Sequence, residues 1–187
     1  MATPDNSQLM HLGTKGGIQH WLDLETGRQF PYPELPAPFQ LGPAMEALAD
    51  RGFKFRRAAE DRLEAFFVDA AGGRLRLAIC CDGPADNLFL LLRAPCWVPR
   101  RRRAEAAEYL TRANWGMSLG SFDMDWSDGE VVYRVSTYAP GTTLTAEVVV
   151  RMVDAALWAV RTYADGLERT IVGEAPASVI AEVESQD

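Results

Sequence analysis

Histidine is nearly missing from this 187-residue chain, and its two copies, His11 and His20, both fall near the N-terminus. With no imidazole further on, nucleophile–histidine pairs and histidine-held metals are excluded from the main body, unless the N-terminal segment folds back over it. Cysteine is scarce: Cys80 and Cys81 are adjacent and Cys96 stands apart. An odd number without metal-ligand spacing argues against a disulfide framework or a zinc site. On a strand, Cys80 and Cys81 point to opposite faces, so the thiols are expected to act as small apolar residues. A redox-sensing thiol would instead need an exposed, electropositive setting. No apolar run approaches the ~18 residues needed to span a bilayer. The opening MATPDNSQLMHLGTKGG lacks the basic flank and apolar run of a signal peptide, so a cytoplasmic protein is expected. Positive charge is in deficit, with 19 Lys and Arg against 26 Asp and Glu, a net charge of −7. An acidic chain has no general attraction to phosphate backbones or anionic lipid, which disfavours nucleic acid and membrane as partners. No repeat or nucleophile elbow appears. The string Gly13-Thr14-Lys15-Gly16-Gly17 lacks the order of a phosphate-binding loop. No cofactor or metal is called for.

What is present is ordinary globular material: 48% apolar and 24% charged residues, enough for a sizeable core. The most legible stretch is Leu110–Tyr138. Phe122, Met124 and Trp126 alternate with Asp123, Asp125 and Ser127; Val131, Tyr133 and Val135 alternate with Val132, Arg134 and Ser136. A period of two marks two half-buried strands. Asp128-Gly129 between them predicts a two-residue type I′ hairpin turn. Gly116 and Gly120 mark the exit of a preceding helix. Asp123, Asp125 and Asp128 read as solvent-facing strand and turn residues, because calcium-loop spacing and its closing glutamate are missing.

Residues 1–42 read as a Pro-rich extension. Pro31, Pro33, Pro36 and Pro38 favour an extended segment, a stiff linker or one lying along the domain surface, with an aromatic-groove ligand as the alternative. Ile18, Trp21 and Leu22 have the spacing of a short helical turn. Pro43 opens a helix that buries Met45, Leu48 and Ala49 and stops at Gly52. Strands are expected over Phe53–Ala59, Leu63–Asp69, Arg74–Cys81 and Asn87–Arg93, with turns at Ala70–Gly73 and Asp82-Gly83-Pro84. Pro99 starts a second helix whose first residues, Arg100, Arg101, Arg102 and Arg103, oppose the helix dipole. They are a candidate site for an anion or acidic partner, against the plainer reading of a solvated basic turn offset by Glu105 and Glu108. Ala107, Leu110 and Ala113 (or Asn114) give this helix its apolar stripe. After a turn at Pro140-Gly141, Thr145 caps a long amphipathic helix with Val149, Met152, Val153, Ala156, Val160 and Tyr163 on one face, stopping at Gly173. The acidic tail, residues 174–187, is expected to be mobile or weakly helical.

In order, Trp97-Val98-Pro99, Leu110 through Asn114, Gly120-Ser121-Phe122-Asp123-Met124-Asp125, Asp128-Gly129-Glu130-Val131, Tyr133-Arg134 and Leu144-Thr145 resemble the YbjN-like family of bacterial sensory transduction regulators. The resemblance covers roughly Gly42–Val172. It implies the type III secretion chaperone-like fold: α+β, a single antiparallel sheet of about five strands with helices packed on it, ordered α-β-β-β-α-β-β-α. It also implies a homodimer that holds extended segments of other proteins, with no catalytic residues. Fold likeness does not itself transfer function.

The expected function is therefore a non-enzymatic protein-binding module, a chaperone-like adaptor or regulator whose domain spans residues 43–173. Its partner would be another protein or an extended peptide taken by an open sheet face or edge. Trp115, Trp126 and Trp158 are the candidate aromatic anchors, with core packing expected for at least two of them. One alternative is a carboxylate-based enzyme using Asp123, Asp125 and Glu130, which needs those acids to converge in a deep pocket. Another is a sensor on the same fold, whose extension docks on the domain until a signal or small ligand displaces it.

Overall fold

The structure, a computed structural model, describes residues 9–15, 18–23, 29–31, 41–68, 74–82, 87–138 and 145–185. The turns expected at Ala70–Gly73, Gly83-Pro84 and Pro140-Gly141, the Pro33–Pro38 segment and Leu144 lie outside the described residues. In chain order come β1 (Leu9–Lys15), β2 (Ile18–Asp23), β3 (Gln29–Pro31), α1 (Leu41–Asp50), β4 (Phe55–Ala59), β5 (Arg62–Val68), β6 (Arg74–Asp82) and β7 (Asn87–Trp97). Then follow α2 (Arg103–Gly116), β8 (Ser121–Met124), β9 (Glu130–Tyr138), α3 (Ala146–Val172) and α4 (Pro176–Glu184). This is an α+β protein with one antiparallel sheet. The hydrogen-bonded order is β3-β2-β1-β4-β5-β6-β7-β9-β8: six strands within residues 55–138, continued by three short N-terminal ones.

The chain divides into two compact units, residues 1–90 with 136–152 and residues 91–135 with 153–187. In the first, alternation decides which side chains are covered. Phe55 on β4, Leu63 and Ala65 on β5, and Leu75, Leu77 and Ile79 on β6 are buried, as are Leu41, Ala44, Met45 and Leu48 on α1. α1 begins at Leu41, two residues before Pro43, and ends where the Gly52 N–H donates to the Ala49 carbonyl at 2.9 Å. β1 pairs antiparallel with β2 and with β4. Ile18–Asp23 is thus a strand, not a helical turn: its neighbours offer a ladder of backbone partners, which a lone turn cannot match.

In the second unit, α2 buries Leu110 and Ala113 as expected, with Tyr109 beside them and Ala106 in place of Ala107. β7 runs through Pro95 to Trp97, four residues past the expected end, burying Leu88 and Leu90 in the first unit and Leu92 and Ala94 in the second. Four strands, rather than the three of the implied order, therefore lie between α1 and α2. α3 is one uninterrupted helix and Gly173 ends it, its N–H donating to the Arg169 carbonyl at 3.2 Å. The acidic tail is not loose. Pro176–Glu184 is helical, packs on α2 and buries Val179 and Ile180. Arg169 fastens it by ion pairs to Glu174 at 2.6 Å and Glu182 at 2.7 Å. The four acids looked like a solvated tail; two of them neutralise one arginine instead.

Candidate functional surface

Pro99 leads into a 3₁₀ turn at Arg100–Arg102, and Arg103 opens α2. The four arginines do not act together. Arg100 and Arg101 are exposed, Arg102 pairs with Glu105 at 3.0 Å, and Arg103 reaches across to the hairpin. Its Nη1 donates to the carbonyls of Trp126 at 2.6 Å and Ser127 at 3.3 Å. Two of the four positive charges are thus held within the unit, and Arg100 and Arg101 are left at the surface.

The hairpin is wider than a two-residue turn. β8 ends at Met124 and residues 125–129 make the connection, closed by Asp125 N–H to the Glu130 carbonyl and Gly129 N–H to the Asp125 carbonyl, each at 2.8 Å. Two aspartates shape it. The Ser127 amide and hydroxyl donate to Asp125 Oδ1 at 2.7 and 2.6 Å, and the Glu130 amide donates to Asp128 Oδ1 at 2.8 Å. Such side-chain bonds to nearby backbone compete with the strand ladder. Gly129 has φ of 87° and lies against the Val98 carbonyl, where any Cβ would collide. The consequence is that Trp126 sits on the turn rather than on the strand.

All three candidate tryptophans lie at the surface. Trp115 at the end of α2 is 93% exposed, Trp126 60% and Trp158 on α3 48%. The core role expected for at least two of them is overturned. Trp115 lies outside the Ala106–Ala113 stripe, the hairpin turn carries Trp126 outward, and Trp158 is off the α3 stripe, its edge against Tyr163 with ring centroids 6.1 Å apart.

Asp123, Asp125 and Glu130 do share a groove. Its volume is about 670 Å³, it is open to solvent, and Leu91, Phe122, Met124, Val132 and Arg134 complete its lining. Each acid already has a partner: Asp123 with Arg134 Nε at 2.6 Å, Glu130 with Arg93, and Asp125 with Ser127. The Ser127 hydroxyl and amide hold the Asp125 carboxyl below the usual carboxylate range, the opposite of what a general acid needs. Among the described residues no group of acids, thiols or histidines has the geometry of a metal site. Two of the three thiols are held protonated by their surroundings. Burial pushes Cys81 up to about 12 and Cys96 to about 11, leaving little thiolate at neutral pH.

Sequence reasoning missed the lock on the sheet edge. β8 is the last strand of the sheet and pairs only with β9. Its outward-facing backbone at Phe122 is closed by the Asn114 carboxamide: Phe122 N–H donates to Oδ1 at 2.7 Å and Nδ2 donates to the Phe122 carbonyl at 3.0 Å. One side chain thus copies a strand neighbour, a device that blunts edge-to-edge pairing. Asn114→Leu is expected to lower stability by about 1–3 kcal/mol, the range for unpaired buried backbone groups. It should also cause concentration-dependent association. Urea titration and light scattering read the two effects; an unchanged, monodisperse variant would show that the bonds contribute nothing.

The result is an α+β domain with one sheet edge closed at Phe122, an open groove beside it, and aromatic side chains standing in solvent. Its family follows from the sequence of that domain. The chain belongs to the YbjN family, described as "Putative bacterial sensory transduction regulator", whose model matches residues 45–169. Solved structures similar to parts of the chain include the "Crystal Structure of the ExsC-ExsE Complex", at 14% identity and TM-score 0.35 over 55% of this chain and 74% of that one. Another is the "Structure of the HopA1-SchA Chaperone-Effector Complex", at 16% identity and TM-score 0.35 over 55% of this chain and 75% of that one. No curated protein matches the chain. No helix among the described residues is long and apolar enough to cross a membrane.

Proposed function

We propose that this protein is a non-enzymatic protein-binding module, an adaptor or regulator with residues 43–173 as its binding domain, acting in the cytoplasm as a homodimer. The observation that carries the reading is the exposure of Trp115, Trp126 and Trp158. Tryptophan is rarely left in water without use, and it dominates the energetics of protein interfaces when a partner covers it. The partnered acids of the open groove favour binding over catalysis. For the homodimer the support is α3, whose exposed side carries Arg151, Asp154, Trp158, Arg161 and Asp165. An antiparallel copy crossing at Trp158 sets Arg151 opposite Asp165 and Asp154 opposite Arg161, a self-complementary pattern suited to a two-fold axis.

The test is capture of partners from native cytoplasm with the full chain, a chain starting at Gly42, and the triple variant Trp115→Ala/Trp126→Ala/Trp158→Ala. A protein held reproducibly by the wild type and lost by a triple variant of unchanged melting temperature is the expected result. Its loss from the shortened chain alone would move recognition to the N-terminal segment. Capture of nothing by any form would sink the reading.

A further inference from the structure

The face of β4, β5 and β6 opposite α1 carries an arrangement at odds with the acidic chain around it. Glu64 in mid-β5 is 3% exposed. In register, Arg56 on β4 lies beside it. Arg62 precedes it by two residues on β5, and Arg74 and Arg76 come from β6, paired with Val68 and Phe66. Glu64 is saturated. Its Oε2 accepts from Arg56 Nη2 at 2.6 Å and Nε at 3.1 Å, and its Oε1 accepts from Arg76 Nη2 at 2.5 Å, with Arg62 Nη2 3.6 Å away. Three guanidinium groups therefore surround one carboxylate, Arg74 adds a fourth further along the same face, and the positive charge exceeds what the face itself supplies to balance it.

Two further facts point outward. Arg62 Nε is buried without a hydrogen-bond partner, and Arg74 is exposed with no ion pair among the described residues. Beyond Glu64 on the same strand face, Phe66 is 53% and Val68 71% exposed, so the cationic cluster runs into an apolar strip.

We infer that this face binds an acidic, partly apolar protein segment in extended form. The inference rests on the protein-binding reading above and gives that partner a chemistry. Carboxylates on alternate residues of such a segment meet the guanidinium groups, which are suited to forked pairing with carboxylate. Apolar side chains further along the segment cover Phe66 and Val68. A nucleic acid fits less well: the net charge of −7 repels a long polyanion, and a phosphate backbone leaves Phe66 and Val68 uncovered.

The probe is a fluorescently labelled peptide with glutamates and then leucines at alternate positions and serines between, titrated into the full chain and followed by anisotropy. The controls are the same peptide with lysine for glutamate, and an oligothymidylate. The acidic peptide is expected to bind, to weaken steeply with added salt, and to weaken by about tenfold in Arg74→Glu, whose exposed side chain can be reversed without unfolding the sheet. Arg62→Gln should weaken it less. The triple tryptophan variant should bind it as the wild type does, which separates this face from the tryptophan surface. Equal binding of the lysine peptide, preference for the oligonucleotide, or indifference to Arg74→Glu overturns the inference. So does failure of the acidic peptide to bind a wild type that still captures its partner, and that result leaves the broader reading standing.

Discussion

Gly166→Val is expected to destabilise the protein by about 2–3 kcal/mol, the upper range for forcing extra methyl groups into a filled core. For a chain of this size that is a melting temperature lowered by roughly 5–10 °C. Gly166 lies inside α3, where glycine is normally a poor choice, and an alanine at a neutral helical site would gain about 1 kcal/mol. Here the missing side chain is required. A Cβ at this position would land on the Tyr109 hydroxyl and ring. Tyr109 cannot move aside, because it is fully buried and its hydroxyl donates to the Tyr163 carbonyl at 3.0 Å. Gly166→Ala should therefore be destabilising despite its helix propensity, and Gly166→Ala/Tyr109→Phe should recover part of the loss by removing the hydroxyl in the way. Thermal and urea denaturation of the series decide it; a Gly166→Ala as stable as the wild type would mean that the helices yield easily at this crossing.

Glu64→Gln is expected to remove about 1–3 kcal/mol. Breaking a buried ion pair by removing one partner commonly costs 3–5 kcal/mol, but Arg56, Arg62 and Arg76 keep 39–43% of their side chains in solvent, and water screens the charges left behind. The effect has a pH signature. Burial alone would raise the Glu64 carboxyl; hydrogen bonds from Arg56 and Arg76, with their charges, outweigh burial and hold it below the usual glutamate range. A carboxyl depressed in the folded state contributes stability that is fully present above its unfolded value, near 4.3, and is lost as pH falls through the folded one. Urea midpoints should thus fall more steeply on acidification in the wild type than in Glu64→Gln, and the two curves should converge at low pH. Parallel curves would show that Glu64 has no preferential bond to its arginines.

How much was legible in advance varies by residue. The alternation of Leu75, Leu77 and Ile79 and of Val131, Tyr133 and Val135 marked strand faces, since a period of two leaves each side chain one side to choose. The Val149-to-Tyr163 stripe marked α3 for the same reason at a period of 3.6. The family motifs named the domain before any geometry was known, and the family model matches there. Alternation failed where side chains bond to nearby backbone in competition with the strand ladder. Asp125 and Asp128 hydrogen bonds widened the hairpin and carried Trp126 into solvent. Arg57 on β4 is buried, its guanidinium donating to the Ala59 and Glu60 carbonyls.

The candidate surface divides along the same line. Composition alone confined histidine to His11 and His20 and set the charge that disfavours polyanions, because both depend only on which residues are present; that β1 and β2, which carry those histidines, join the domain's sheet was not readable from composition. Spacing assigned most helices and strands, because backbone periodicity is local. What only the tertiary structure decided is which side chains are left over once those elements pack. It left Trp97, Trp115, Trp126 and Trp158 exposed, gave Asn114 to the edge of β8, and gathered Arg56, Arg62 and Arg76 around Glu64 from three neighbouring strands. Those juxtapositions join residues as far apart in sequence as 56 and 76, and the pairing of separate strands, which the pattern within one strand does not fix, brings them together.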